Sequence, residues 1–180
     1  MSQILPPNFV QQIPVGDDKP RQVCTDCGFI NYVNPKIVAG VVVSDAQGRI
    51  LLCRRAIEPR HGFWTVPAGF MEERESTRAG AAREVFEEAC ATVEINALLG
   101  IYEVPRISQV HFMYRGTLTS DFKAGPESLD VQLFDYDNIP WDEIAFPTGT
   151  WALRDWGKVR EDASFPLFTN PAGSEAMTHG

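Results

Sequence analysis

Three glutamates within five positions, Glu84, Glu87 and Glu88, are the residues of this sequence best placed to do chemistry. They sit in "REVFEEAC", within a segment that reads as a helix from about Ser76 to Cys90, with Ser76 or Thr77 as its N-cap. Like charges three and four positions apart on a helix repel by a few tenths of a kcal/mol per pair, so something should offset them. On a helical wheel with Glu84 at zero, Glu88 falls at about 40° and Glu87 at about −60°, with Gly80 between them at about −40°. Ala79, Ala81, Ala82, Val85, Phe86 and Ala89 fill the other arc, broken mainly by Arg78, and form the expected core face.

A solvated acidic helix face would show the same spacing. Three features favour a bound cation instead. The acidic arc contains no lysine to form i,i+4 pairs. A hard divalent ion with oxygen ligands, Mg²⁺ or Mn²⁺, would cancel the repulsion. The preceding segment, "PAGFMEERE", sets a glycine and a tight loop beside the same face, where a backbone carbonyl could serve as another oxygen ligand.

The elements that must hold this helix follow from pattern. "KIVAGVVVS" and "RILLCRR", joined by the turn residues "DAQG", read as a β-hairpin. "FWTVPAGF" reads as a short extended piece broken at Pro67. "VEINALLGIYEV", "SQVHFMYRGTL" and "LDVQLFDY" read as further strands, and "IPWDEIAF" as a short helical turn. "TGTWALRDWGKVRED" reads as a second helix, with Trp151, Trp156 and Val159 as its apolar contributors. Residues 1–35 read as a small irregular arm rich in Pro, Gly, Asn and Asp, residues 36–162 as the main domain, and 163–180 as a loose tail. Strands alternating with two helices imply an α/β or α+β sandwich.

Composition narrows the function. With 16 basic and 24 acidic residues the net charge is −8, which argues against a nucleic-acid surface. An anionic small molecule remains compatible, given local arginines or a bound cation. There is no signal peptide pattern and no membrane-length apolar run, and four cysteines do not read as a disulfide framework, so a cytoplasmic location is expected.

Gly69, Glu75 and "REVFEE" at 83–88 together resemble the signature box of the Nudix hydrolases: Gly, five residues, Glu, seven residues, then Arg-Glu-apolar-x-Glu-Glu-x-Gly-apolar. The spacing is complete over 23 positions, with one departure, Cys90 in place of the helix-ending glycine. The resemblance implies a Nudix-type α/β/α sandwich with a mixed sheet. It implies Glu84 and Glu88 as metal ligands and Glu87 as a third ligand or as a base. The carbonyl of Ala68 or Gly69 would complete the set, and Arg83 and Glu75 would form a supporting ion pair. The implied activity is divalent-metal-dependent hydrolysis of a nucleoside diphosphate linked to another moiety. "NYVNPKIVAGVVV" and "GPESLDVQLFDYDNIPWDEIAF" further resemble the zinc-ribbon-bearing branch that includes ADP-ribose and FAD pyrophosphatases, making ADP-ribose or FAD the expected substrate. The alternative within the family is a non-catalytic regulator that binds a nucleotide metabolite; retention of the box glutamates weighs against it.

Other candidates are less constrained. Arg54 or Arg55 could contact phosphate, and strand alternation admits one of them. Glu127, in "GPESLD", occupies the place of a late carboxylate carried on a loop in many Nudix enzymes, with Asp130 as competitor. Tyr102, Phe112 and Tyr114 could stack on a flat ring, although aromatic residues on strands more often build core. A homodimer is compatible with the aromatic N-terminal region. "CTDCG" carries half of a zinc-ribbon pattern, but only Cys24 and Cys27 are available, so a structural Zn²⁺ is not expected. A remnant ribbon held by packing is the favoured account, ahead of a metal site shared between subunits or a redox pair.

Overall fold

The computed structural model describes residues 8–174, and the chain divides into two compact units with the boundary between Pro35 and Lys36. The first unit is more regular than the sequence suggests. Strands β1 (Phe9–Gln12), β2 (Arg21–Cys24) and β3 (Ile30–Asn31) form an antiparallel sheet in the order β1-β2-β3. Its strands hide from pattern analysis because only Val23 and Cys24 are buried, so the usual two-residue alternation is nearly absent.

In the second unit, β4 (Lys36–Ser44), β5 (Ile50–Arg55), β6 (Trp64–Thr65) and β7 (Ala68–Phe70) precede helix α1 (Thr77–Ala89). Strands β8 (Val93–Val104), β9 (Gln109–Leu118) and β10 (Ser128–Phe134) follow, then helix α2 (Pro147–Val159). The sheet order is β10-β5-β4-β9-β8, with β6 added to β5 and β7 to β4. Strand β4 runs parallel to β9 from Lys36 opposite Gln109 to Ser44 opposite Thr117, while the other pairings are antiparallel. The sheet is therefore mixed.

The expected β4–β5 hairpin closes at a single register pair, Ser44 with Ile50, and then splits. Into the split come β6 against β5 and β7 against β4. Gly40 lets β7 approach, since a Cβ there would lie 2.6 Å from the Ala68 Cβ. Pro67 lies between the two inserted strands, where no ladder donor is needed from it.

Residues two apart on each strand face the same way, which gives two cores. Ala39, Val41, Val43, Leu51 and Cys53 pack with Ala81, Val85 and Ala89 of α1. Val42, Ile50 and Leu52 pack with Trp151, Trp156 and Val159 of α2, together with Leu99 and Met113. The result is an α/β/α sandwich whose helices cover opposite faces of one sheet. The tail is not loose through its described part: the Phe168 N–H donates to the Leu99 carbonyl (3.0 Å) and the Phe168 carbonyl accepts from Ile101 (2.9 Å). Phe165 and Phe168 pack against the α2-side core, and residues 175–180 lie outside the described part. Among the described residues no helix is long and apolar enough to cross a membrane.

Candidate active site

Helix α1 starts where the Ser76 side chain accepts the Ala79 N–H, and it ends on Cys90, whose φ of 47° is the left-handed conformation that glycine adopts most easily. The buried face is rotated from the one expected. Gly80, Ala81, Glu84, Val85, Glu88 and Ala89 point inward, whereas Phe86 is 60% exposed. Glu84 and Glu88 are each only 8% exposed, so two carboxylates belong to the packed face of the helix. Glu87 does not join them. Its side chain is 52% exposed and accepts from Arg83 Nη1 (2.9 Å), the same nitrogen that donates to Glu84 Oε1 (2.7 Å). The three-glutamate cluster of the sequence is thus an inward pair with a third carboxylate at its rim.

Arg83 ties this rim to the preceding loop. Its Nη2 donates to Glu75 Oε1 (2.8 Å) and to the Phe70 carbonyl (3.0 Å), and its Nε donates to Glu75 Oε2 (3.2 Å). Glu75 also accepts the Glu72 N–H, and the Arg83 guanidinium holds its carboxyl below the usual range. The room that Gly80 leaves on the helix is filled by Glu75: a Cβ at position 80 would lie 2.7 Å from Glu75 Oε1.

The opposite wall is β7. A Cβ on Gly69 would lie 2.4 Å from the Glu84 carboxylate, so only glycine fits there. Gly69 is not, however, the carbonyl that faces the glutamates. It stands opposite Ala39, flanked by the ladder bonds Val41 N–H to Pro67 and Met71 N–H to Ile37. Antiparallel alternation therefore turns the Gly69 backbone groups toward β4 and those of Ala68 toward the helix. The Ala68 N–H accordingly donates to Glu88.

Beneath the pair lies β5. Cys53 donates its thiol to Glu88 and receives a hydrogen bond from Ser128, and burial pushes this thiol up. Two residues on, Arg55 shares that face, and its charge acts on Glu88. Arg54 faces the other side, 5.9 Å from the Trp64 ring, and donates to the Gly62 carbonyl. Burial, reinforced by the charge of Glu84, pushes the Glu88 carboxyl up to about 8. Burial also raises Glu84, against the pull of Arg83. Glu88 Oε2 is a buried oxygen with no hydrogen-bond partner among the described residues.

The loop between β9 and β10 closes over the end of α1. Lys123 N–H donates to the Ala89 carbonyl and Gly125 N–H to that of Glu88 (both 2.9 Å). This seats the exposed Glu127 where its charge acts on both Glu84 and Glu88. Asp130 is turned away and accepts from Val131 N–H and Gln132. The aromatic candidates are structural. Tyr102 is wholly buried and donates to Asp155 (2.7 Å), Phe112 packs into the α1-side core, and the Tyr114 hydroxyl bonds Thr77 (2.6 Å). Sequence pattern identified the charged residues but not Cys53, Ser128 or Gly125, whose only signal is the strand parity that puts Cys53 and Arg55 on one face.

The chain matches the NUDIX domain over residues 34–154 and the Nudix N-terminal zinc-ribbon family over residues 8–33. It is 29% identical over 122 residues to an ADP-ribose pyrophosphatase of Methanocaldococcus jannaschii, covering 64% of this chain and 69% of that protein. It is 31% identical over 142 residues to the NAD-capped RNA hydrolase NudC of Haemophilus influenzae, covering 73% of this chain but only 50% of that protein. The crystal structure of a NUDIX hydrolase from Nitrosomonas europaea superposes with a TM-score of 0.84 at 41% identity, over 94% of this chain and 97% of that one. With a family match spanning most of the second unit and another in the first, this chain belongs to the Nudix hydrolases, in the branch that carries an N-terminal ribbon.

Proposed function

We propose that this Nudix hydrolase cleaves the diphosphate of a nucleoside diphosphate linked to another moiety, with ADP-ribose or FAD as substrate and Mg²⁺ or Mn²⁺ as cofactor. The observation that carries this reading is the unpartnered, buried Oε2 of Glu88, one turn along α1 from Glu84, whose carboxylate lies against Gly69 of the facing strand. A buried carboxylate oxygen is costly to leave unpaired, and oxygen donors of this kind suit a hard divalent cation. No group of three or more His, Cys, Asp or Glu side chains converges as a ready-made cage among the described residues. The set that fits is therefore Glu84, Glu88 and the Ala68 carbonyl, with Glu87 at the rim as third ligand or base. When bound, the ion neutralises diphosphate charge and activates water.

The chain's own residues do the rest. Arg83 and Glu75 hold the loop before α1 against the helix, fixing Gly69 beside Glu84. Arg55, whose Nε donates to the Pro59 carbonyl and whose guanidinium lies 5.0 Å from the Phe146 ring, supplies positive charge on the Glu88 side and is the arginine assigned to a phosphate. Glu127 supports the site from its loop as a proton acceptor. Burial and the neighbouring Glu84 favour the protonated form of Glu88, so a cation held there would compete with that proton.

The test is phosphate release, coupled to a phosphatase, from ADP-ribose, FAD, NADH and nucleotide sugars in Mg²⁺ and in Mn²⁺. Turnover of ADP-ribose or FAD that EDTA abolishes supports the proposal. Binding without turnover of any diphosphate would favour the regulator instead.

A further inference from the structure

The N-terminal unit carries a two-cysteine knuckle that the diphosphate site does not use. A closed structural zinc site takes four ligands. This chain holds four cysteines, Cys24, Cys27, Cys53 and Cys90, and its histidines are His61, His111 and His179, so the ribbon has two thiols and no imidazole. Zinc as a ribbon clamp does not fit this residue set.

The ribbon is closed by other bonds. Arg21 pairs with Asp17 (2.9 Å) and lies over the Tyr32 ring at 5.3 Å. Asp17 also accepts the N–H groups of Asp18 and Lys19. Thr25 N–H donates to Asn8, and Asn31 donates to Gln22 across β2 and β3. Cys24 N–H donates to the Phe29 carbonyl, and Gly28 N–H to the Cys24 carbonyl, folding residues 24–28 into a tight turn.

That turn places the two thiols together. The Cys24 sulfur is buried and accepts hydrogen bonds from the N–H groups of Cys27 and Asp26 and from the Cys27 thiol, while Cys27 is exposed. Residues three apart in a tight turn have Cα atoms within about 7 Å, inside the reach of a disulfide.

We propose that Cys24 and Cys27 form a reversible dithiol–disulfide pair in a ribbon that folds without metal. The exposed Cys27 thiolate attacks a low-molecular-weight disulfide such as glutathione disulfide, forming a mixed disulfide and expelling one glutathione thiolate. The Cys24 thiolate then attacks the Cys27 sulfur, forming the protein disulfide and expelling the second glutathione. The protein loses two electrons and two protons; the glutathione disulfide gains both and leaves as two thiols. The backbone N–H donors favour the thiolate at Cys24, the form needed for the second step.

The test uses the full chain, purified reduced, exposed to glutathione buffers of rising disulfide content and trapped with an alkylating agent. Thiols titrated after denaturation should fall from four to two per chain, and peptide mapping should show Cys24 linked to Cys27. Dithiothreitol should restore all four. Cys24→Ser should accumulate a stable glutathione adduct on Cys27, and Cys27→Ser should form neither adduct nor disulfide in the ribbon. Zinc content should be negligible in every variant. Failure to oxidise would overturn the proposal. So would zinc at one equivalent, or at half an equivalent shared between two copies, that is lost in both serine variants.

Discussion

Replacing Glu88 with glutamine separates what this carboxylate does for the fold from the metal-binding role proposed for it. Burial raises its carboxyl from an ordinary 4.5 to about 8, so the folded chain binds this proton more tightly than the unfolded one. The stabilising contribution is then complete below about pH 4.5 and is lost as pH rises toward 8. Each pH unit of that interval corresponds to about 1.4 kcal/mol, giving on the order of 4–5 kcal/mol as an upper bound. An effective interior dielectric well above that of dry protein lowers this to about 2–3 kcal/mol. Glutamine keeps the shape and cannot ionise. In EDTA at pH 8, Glu88→Gln should therefore melt roughly 5–10 °C higher than the parent chain, with little difference at pH 4.5. If Glu88 holds the proposed ion, hydrolysis of ADP-ribose or FAD in Mg²⁺ should fall by about a hundredfold or more. Thermal melts at the two pH values, paired with phosphate release, measure both effects. A pH-independent melting difference, or near-normal turnover, would refute the reasoning.

Gly69→Ala drives a methyl into the Glu84 carboxylate and should cost about 1–3 kcal/mol in urea unfolding and most of the hydrolytic activity. Gly125→Ala puts a Cβ 1.8 Å from the Glu87 carbonyl. It should lift the Glu127 loop off α1, lower kcat, and raise amide exchange at Lys123 and Gly125. Arg83→Lys cannot reproduce a fork that reaches Glu75, Glu84, Glu87 and the Phe70 carbonyl, so activity should drop at least about tenfold, with KM and kcat both affected. Tyr102→Phe removes the buried bond to Asp155 and should cost about 1–3 kcal/mol of stability while leaving KM unchanged; a raised KM would return Tyr102 to the substrate.

The legible part of the molecule was its strong periodicities. The apolar runs of β4, β5, β8 and β9 and the indole-bearing face of α2 predicted their own structure because each is buried, β4 and β5 on both faces, whatever its partner. Pattern failed where burial is slight, as in the ribbon strands, or where a partner is distant. The splitting of the β4–β5 hairpin depends on β7 arriving at Gly40, a contact between residues far apart in the chain. The rotation of α1 was likewise invisible, because a helical wheel shows which residues share a face but not what packs against it.

By itself the sequence determined the family, the mixed sandwich fold and the acidic and basic residues that gather along α1 and the loop before it, since spacing along one helix and one loop is a local property. Tertiary structure alone decided that Glu84 and Glu88 point inward while Glu87 stays at the rim. It decided that Ala68 rather than Gly69 turns its backbone to them, and that Arg55 rather than Arg54 shares their side. Each of those choices depends on register and facing between elements brought together only by folding, and a one-residue change of facing reverses it.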